Sequence, residues 1–157
     1  QARNRRAGTE NVAGIVGFGK ACDIAYESLD DRMKRESELR DHLIHRVLTE
    51  ISDVNLNGDP VHRLPNNANF SFRGIEGESL LIMLDMRGIC ASSGSACTAG
   101  SIDPSHVLIA TGLSPEEARE SVRLTLSDET TMEEIDQTVE ALKQIVHDLR
   151  EMSPLYN

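Results

Sequence analysis

The sequence predicts an α+β (α/β) domain in which a small sheet is covered by helices. Three observations carry this. Apolar residues recur every three or four positions at Leu39, Leu43, Val47 and Ile51, and again at Ile135, Val139, Leu142, Val146 and Leu149, so two long segments each carry one helical stripe. Two short runs alternate instead: Ala68, Phe70 and Phe72 against Asn67, Asn69 and Ser71, and Val122, Leu124 and Leu126 against Ser121, Arg123 and Thr125. That period belongs to strands with one face buried. No apolar run approaches the ~18 residues of a membrane-spanning helix, so the apolar 39% of the chain serves a core.

Taken in order, the pattern is helical from about residue 12 to Ser52, with Cys22 on the apolar side. Between Asp30 and Asp41 it is heavily charged, and the Asp31/Arg35 and Glu36/Arg40 pairs at i,i+4 mark a solvated face. Asp53 to Leu56 reads as a short strand stopped by the turn residues Asn57-Gly58-Asp59-Pro60. The strand after Pro65 ends at Gly74, and Glu78 to Arg87 forms a helix with Leu80, Leu81 and Leu84 inward and Gly88 as its cap. Ile89 to Ala91 is a further strand, in which Cys90 is a small buried hydrophobe. Asp103-Pro104 signals a helix start, with the helix running to Thr111 and stopping at Gly112. Ser114-Pro115-Glu116-Glu117 repeats the signal as a capping box, and Thr131 with Glu134 opens the last helix, closed by Pro154. The order is α-β-β-α-β-α-α-β-α.

At 157 residues the chain has the size of one domain. A net charge of −10 argues against nucleic acid or an anionic membrane as main partner. Three cysteines without CxxC spacing suit neither a disulfide framework nor a structural zinc site, which points to a reducing, cytoplasmic setting. The start at Gln1-Ala2-Arg3-Asn4-Arg5-Arg6, without methionine, reads as a piece of a longer protein.

The chemistry centres on Ser92-Ser93-Gly94-Ser95-Ala96-Cys97-Thr98-Ala99-Gly100-Ser101, ten residues without a charge or a bulky side chain. Small residues bury little apolar area, so this segment is expected to be a loop free to move, with Cys97 its one strong nucleophile. No Lys, Arg or His stands within it to lower the thiol pKa. Arg123 sits on the polar face of its strand. Its guanidinium suits a bidentate grip on a carboxylate, although spacing alone favours an exposed strand arginine. His106 could exchange protons, or simply be solvated in the first turn of a helix. Thr9, in Arg6-Ala7-Gly8-Thr9-Glu10-Asn11, offers a hydroxyl and an amide to a phosphate. Gly14-Ile15-Val16-Gly17-Phe18-Gly19-Lys20 matches the core of a P-loop, with Leu80 to Asp85 as its magnesium strand. Ala21 lacks the metal-binding hydroxyl, however, and no buried strand precedes Gly14, so an NTPase is a remote alternative.

Arg6-Ala7-Gly8-Thr9-Glu10-Asn11, Leu64-Pro65-Asn66, Gly77-Glu78-Ser79-Leu80, the Ser92–Gly100 loop, Pro104-Ser105-His106-Val107-Leu108 and Ser121-Val122-Arg123 follow one another in an order that resembles the C-terminal part of a NifS/IscS-type cysteine desulfurase. These are pyridoxal-phosphate enzymes of the class-V aminotransferase family. The resemblance implies the small C-terminal domain of a fold-type I enzyme over residues 1–157, entered through a long N-terminal connecting helix. It implies that Cys97 takes sulfur from L-cysteine, leaves L-alanine, and carries a persulfide to a sulfur acceptor or iron–sulfur scaffold protein, with a transient iron–sulfur ligand role through that persulfide. Arg123 would hold the substrate carboxylate, and Thr9 the cofactor phosphate of the partner subunit in a homodimer. No role follows for His106. Lys20, Lys34 and Lys143 all lack the Ser-x-His-Lys context of the cofactor lysine, and Ser127-Asp128 departs from the family's turn. The large cofactor domain is thus outside this chain, which alone is expected to be inactive. The alternative is a free-standing persulfide carrier.

Overall fold

The computed structural model describes residues 8–93, 104–152 and 156, which fall into two compact units divided after Met33. In the first, α1 (Val12–Glu27) starts at Asn11, whose Oδ1 accepts from the Gly14 amide at 3.0 Å. None of its residues is buried, and Val12, Ile15, Val16 and Phe18 stand exposed. The helix ends at Ser28, whose hydroxyl donates to the Ile24 carbonyl at 3.0 Å. The single helix expected from residue 12 to Ser52 is therefore two, because Ser28 competes for the backbone of the preceding turn. Two other expectations are corrected here. Gly14–Lys20 lies within α1 and Leu80–Asp85 within a helix of the second unit. Helical amides are spent on carbonyls four residues back, so neither segment can cradle a phosphate, and the NTPase alternative falls. Cys22 is exposed rather than packed.

From Lys34 on, α2 (Leu29–Glu50) sinks Leu39, Leu43 and Val47 into the core of the second unit. The sheet has three antiparallel strands in the order β1 (Val54–Leu56), β2 (Asn67–Phe72), β3 (Ser121–Thr125). Register places Phe70 opposite both Leu56 and Val122, and Asn69 opposite Arg123. One face therefore carries Ala68, Phe70, Phe72, Val122 and Leu124, which join Leu80 and Leu84 of α3 (Gly77–Asp85) and the stripe of α6 (Met132–Met152) in one cluster. α4 (His106–Ala110) and α5 (Pro115–Arg119) are single turns. The capping boxes hold as the sequence predicts. Ser114 Oγ accepts from the Glu117 amide, and Thr131 Oγ1 from the Glu134 amide, each at 3.2 Å. Gly88 takes φ 75°, which lets the Ile89 amide reach the Leu84 carbonyl at 3.0 Å.

Elsewhere the structure differs. Ile89–Ala91 forms no strand. The segment meets the sheet in a single bridge, Ser92 to Arg123, and Cys90 is exposed rather than buried. α4 begins at His106 with Ser105 as its cap, two residues past the expected start. Asp103 and Pro154 lie outside the described residues. The charged run of α2 is not wholly solvated. Glu36 and Arg40 are buried, and Arg40 bonds Asp41 and the Leu64 carbonyl. Arg35 likewise donates to the carbonyls of Asp128 and Thr130. A guanidinium has five donors, so a loop carbonyl within reach competes with the i,i+4 carboxylate. Arg150, within the last helix, is buried and donates to the carbonyls of Ser52, Asp53 and Arg73 under the ring of Tyr156, 4.4 Å away.

Candidate active site

The site is built on the polar face of the sheet. Alternation puts Asn67, Asn69 and Ser71 of β2 and Ser121, Arg123 and Thr125 of β3 on that face, opposite the Phe70 core. The sequence suggests a strand with one wet face. In the structure Asn69 and Ser71 are buried too, because α5 and the turn after β1 cover them. Ser71 Oγ donates to the Glu117 carbonyl of α5 at 2.8 Å.

A row of polar side chains crosses the strands here. Asn57, just past β1, donates through Nδ2 to Asn69 Oδ1 at 2.6 Å and to Ser71 Oγ at 2.9 Å. Its own carbonyl accepts from Arg63 Nη2 at 2.9 Å. Burial, and then the neighbouring Arg40 guanidinium, hold Arg63 below the usual arginine range. Next in the row, Asn69 faces Arg123 across the β2–β3 ladder. On the far side Arg123 exchanges backbone bonds with Ser92, donating its amide at 2.6 Å and accepting the Ser92 amide at 3.0 Å.

Arg123 is partly buried, and its Nε is closed to solvent with no hydrogen-bond partner. Arg40, Arg46, Arg63 and Arg150, the other arginines of the second unit that are not exposed, each donate from the guanidinium to a carbonyl or a carboxylate. An unpaired buried donor costs about 1–3 kcal/mol, so the strand holds an unsatisfied cation ready for an acceptor. The bridge to Ser92 puts the head of the Cys97 loop beside it. Cys97 itself lies outside the described residues, so the catalytic assignment and its iron–sulfur role find no geometry here. His106 is exposed at the start of α4.

Thr9, in the first unit, is exposed at the approach to α1, after Gly8 at φ 102°. Its hydroxyl is open to an anion, whereas the Val12 and Gly14 amides of the helix start already bond the Glu10 carbonyl and Asn11 Oδ1. Pyridoxal phosphate nevertheless does not fit the described residues. Lys20 and Lys34 are exposed, and Lys143 is tied to Glu50 at 2.9 Å and Glu140 at 3.1 Å, so none is a buried, free amine suited to a carbonyl cofactor. Among the described residues no cluster of three or more His, Cys, Asp or Glu is placed to hold a metal, and no helix is long and apolar enough to cross a membrane.

Residues 1–138 match the family model of the class-V aminotransferases. The chain belongs to that family. It is 52% identical over 158 residues to the cysteine desulfurase IscS of Clostridium botulinum, covering 99% of this chain and 40% of that protein. It is 49% identical to a cysteine desulfurase of Trichormus azollae, covering 100% and 39%. The fold matches a NifS-like protein from Rickettsia africae with a TM-score of 0.80 and 32% identity, over 94% of this chain and 38% of that one. This class-V chain thus spans about 40% of the length of the curated relatives it matches.

Sequence reasoning missed the Asn57–Asn69 pair. Its signal was the Asn-x-Asn-x-Ser alternation itself, which register alone turns into neighbours of Arg123.

Proposed function

We propose that the whole protein is a cysteine desulfurase and that residues 1–157 are its small C-terminal domain. L-Cysteine gives up its sulfur to the Cys97 thiolate, leaving L-alanine and a Cys97 persulfide. The persulfide then passes to a sulfur acceptor or an iron–sulfur scaffold protein, where Cys97 is a transient iron–sulfur ligand. Arg123 takes the substrate carboxylate in a bidentate fork. The observation that carries this is the partly buried, unpaired Arg123 guanidinium beside the start of the Cys97 loop. Similarity to cysteine desulfurases at about half identity supports it. Pyridoxal phosphate, which supplies the electron sink for loosening a carbon–sulfur bond, belongs to the portion of the relatives that this chain does not span. Thr9 meets the cofactor phosphate of the partner subunit, which makes the enzyme a homodimer, and its setting is cytoplasmic.

The test uses the full-length protein. Cys97→Ser should bind L-cysteine but release no sulfide, and Arg123→Ala should raise the Michaelis constant for L-cysteine well over tenfold, the loss of a charged pair from a desolvated site. Sulfide release by Cys97→Ser at the parent rate would refute the nucleophile. An unchanged Michaelis constant for Arg123→Ala would refute the carboxylate site.

A further inference from the structure

The orientation of Asn69 follows from proton counting. The one proton of the Ser71 hydroxyl goes to the Glu117 carbonyl at 2.8 Å, and a carbonyl can only accept. Ser71 Oγ must then accept from Asn57, so the end of Asn57 that faces it is the NH2. The second proton of that NH2 points at Asn69, which must present its oxygen, as it does at 2.6 Å. The amide assignment is therefore fixed by the network. It turns the Asn69 NH2 away from Asn57, and that NH2 donates to no described residue.

Asn69 is 8% exposed, and that exposure includes its NH2, so this donor is open to water or to a ligand. Its Cα partner on β3 is Arg123. Directly opposed residues keep their Cβ atoms about 4.5–5.5 Å apart on one face, within the span of a carboxylate. Two neighbouring groups thus have donors without acceptors, one an amide and one a guanidinium.

We propose that Asn69 is a second donor to the carboxylate that Arg123 grips, and so a specificity-determining residue for an α-amino acid substrate; this rests on the assignment of Arg123 above. The neutral NH2 adds direction rather than charge. It donates to a carboxylate oxygen that the guanidinium fork also holds, so a missing carboxylate loses both contacts and an ester loses the charge that makes them strong. Arg63 and Asn57 hold the Asn69 amide in that orientation from the far side.

The experiment measures kcat and the Michaelis constant of the full-length protein for L-cysteine and for L-cysteine methyl ester. Variants are Asn69→Ala, Arg123→Ala, the double variant, and Asn67→Ala as a control on the same face. Asn69→Ser keeps an oxygen towards Asn57 and replaces Asn69→Ala if that variant does not fold. Asn69→Ala should raise the Michaelis constant for L-cysteine about tenfold, one hydrogen bond to a charged group, with kcat within about twofold of the parent. The ester should be affected far less. The increase should persist in the Arg123→Ala background, since a direct contact does not act through the guanidinium.

An unchanged Michaelis constant in the Asn69 variants, with a raised one in Arg123→Ala, overturns the role of Asn69 and leaves Arg123 in place. Loss of the Asn69 effect in the Arg123→Ala background also overturns it, since Asn69 would then only position the arginine. If neither residue affects the Michaelis constant, the carboxylate site itself is elsewhere.

Discussion

Gly77→Ala isolates a contact on which the approach to Arg123 depends. Gly77 opens α3 and is buried. A Cβ there would lie 2.6 Å from the Ser121 carbonyl oxygen and 2.8 Å from that of Arg119. Both are backbone atoms, so no rotamer relieves the clash. The nearer must recede by roughly 0.4 Å to reach even a tight contact of about 3.0 Å, and overpacking of that kind costs about 1–3 kcal/mol. Alanine in a helix returns about 0.4–1 kcal/mol through the unfolded chain. A net loss of about 1–2 kcal/mol should lower the Tm by about 2–8 °C at this chain length. The segment cannot yield freely. Ser121 Oγ donates to the Ala118 carbonyl at 2.8 Å, and the Glu120 carbonyl accepts from the Phe72 amide at 3.1 Å. Thermal unfolding followed by circular dichroism measures the shift, with Gly17→Ala as control, since no atom outside its own helix lies within 4 Å of a Cβ there. A Gly77→Ala protein as stable as its parent would refute the reasoning.

Two further perturbations test what holds the scaffold. Arg150→Met should cost about 3 kcal/mol, because the carbonyls of Ser52, Asp53 and Arg73 lose a shared charged donor; a urea midpoint unchanged from the parent would show that water replaces it. The second concerns acid. Hydrogen bonds from Arg46 and then Lys143 hold Glu50 down at about 2 against an ordinary 4.5, and Glu140 is lowered by the same two groups, while Asp136 is lowered by His42 and then Arg46. A carboxyl depressed in the folded state binds its proton more readily when unfolded, so its contribution is complete above about pH 4.5 and is lost as pH falls towards about 2. Arg46→Gln should flatten that acid loss in a series of melts between those limits, and an unaltered pH slope would remove Arg46 as its source.

What was legible in the sequence is what periodicity decides without knowing the partner. The stripes Leu39–Leu43–Val47 and Ile135–Val139–Leu142 are buried as their spacing requires, because any helix with such a stripe must cover it. The capping boxes at Ser114 and Thr131 were legible for a similar reason, being local chemistry. Exposure of a single residue was not. Cys90 follows Ile89 in an apolar run and yet is exposed, since the segment turns away from the sheet until Ser92. Glu36 and Arg40 read as surface charges and are buried. Asn69 read as the wet side of β2; its place beside Arg123 depends on a register set by residues more than fifty positions away.

The arginines of the second unit show why the polar face of the sheet is reserved. In a chain of net charge −10, carboxylates are plentiful and every guanidinium could find one. The partly or fully buried arginines mostly turn elsewhere. Arg150 holds three carbonyls, Arg40 one carbonyl together with Asp41, and Arg63 the Asn57 carbonyl; Arg46 alone of these spends itself wholly on carboxylates. Such bonds pin loops, and a substrate could take one over only by releasing its loop. Arg123 has no such duty. Its amide and carbonyl are both bonded to Ser92, and its neighbours Val122 and Leu124 are held in the β2–β3 ladder opposite Phe70 and Ala68, so its position needs nothing from its side chain. A guanidinium positioned entirely by its backbone can accept a carboxylate and release it again without disturbing the fold, which is what a residue that must bind substrate and let product go requires.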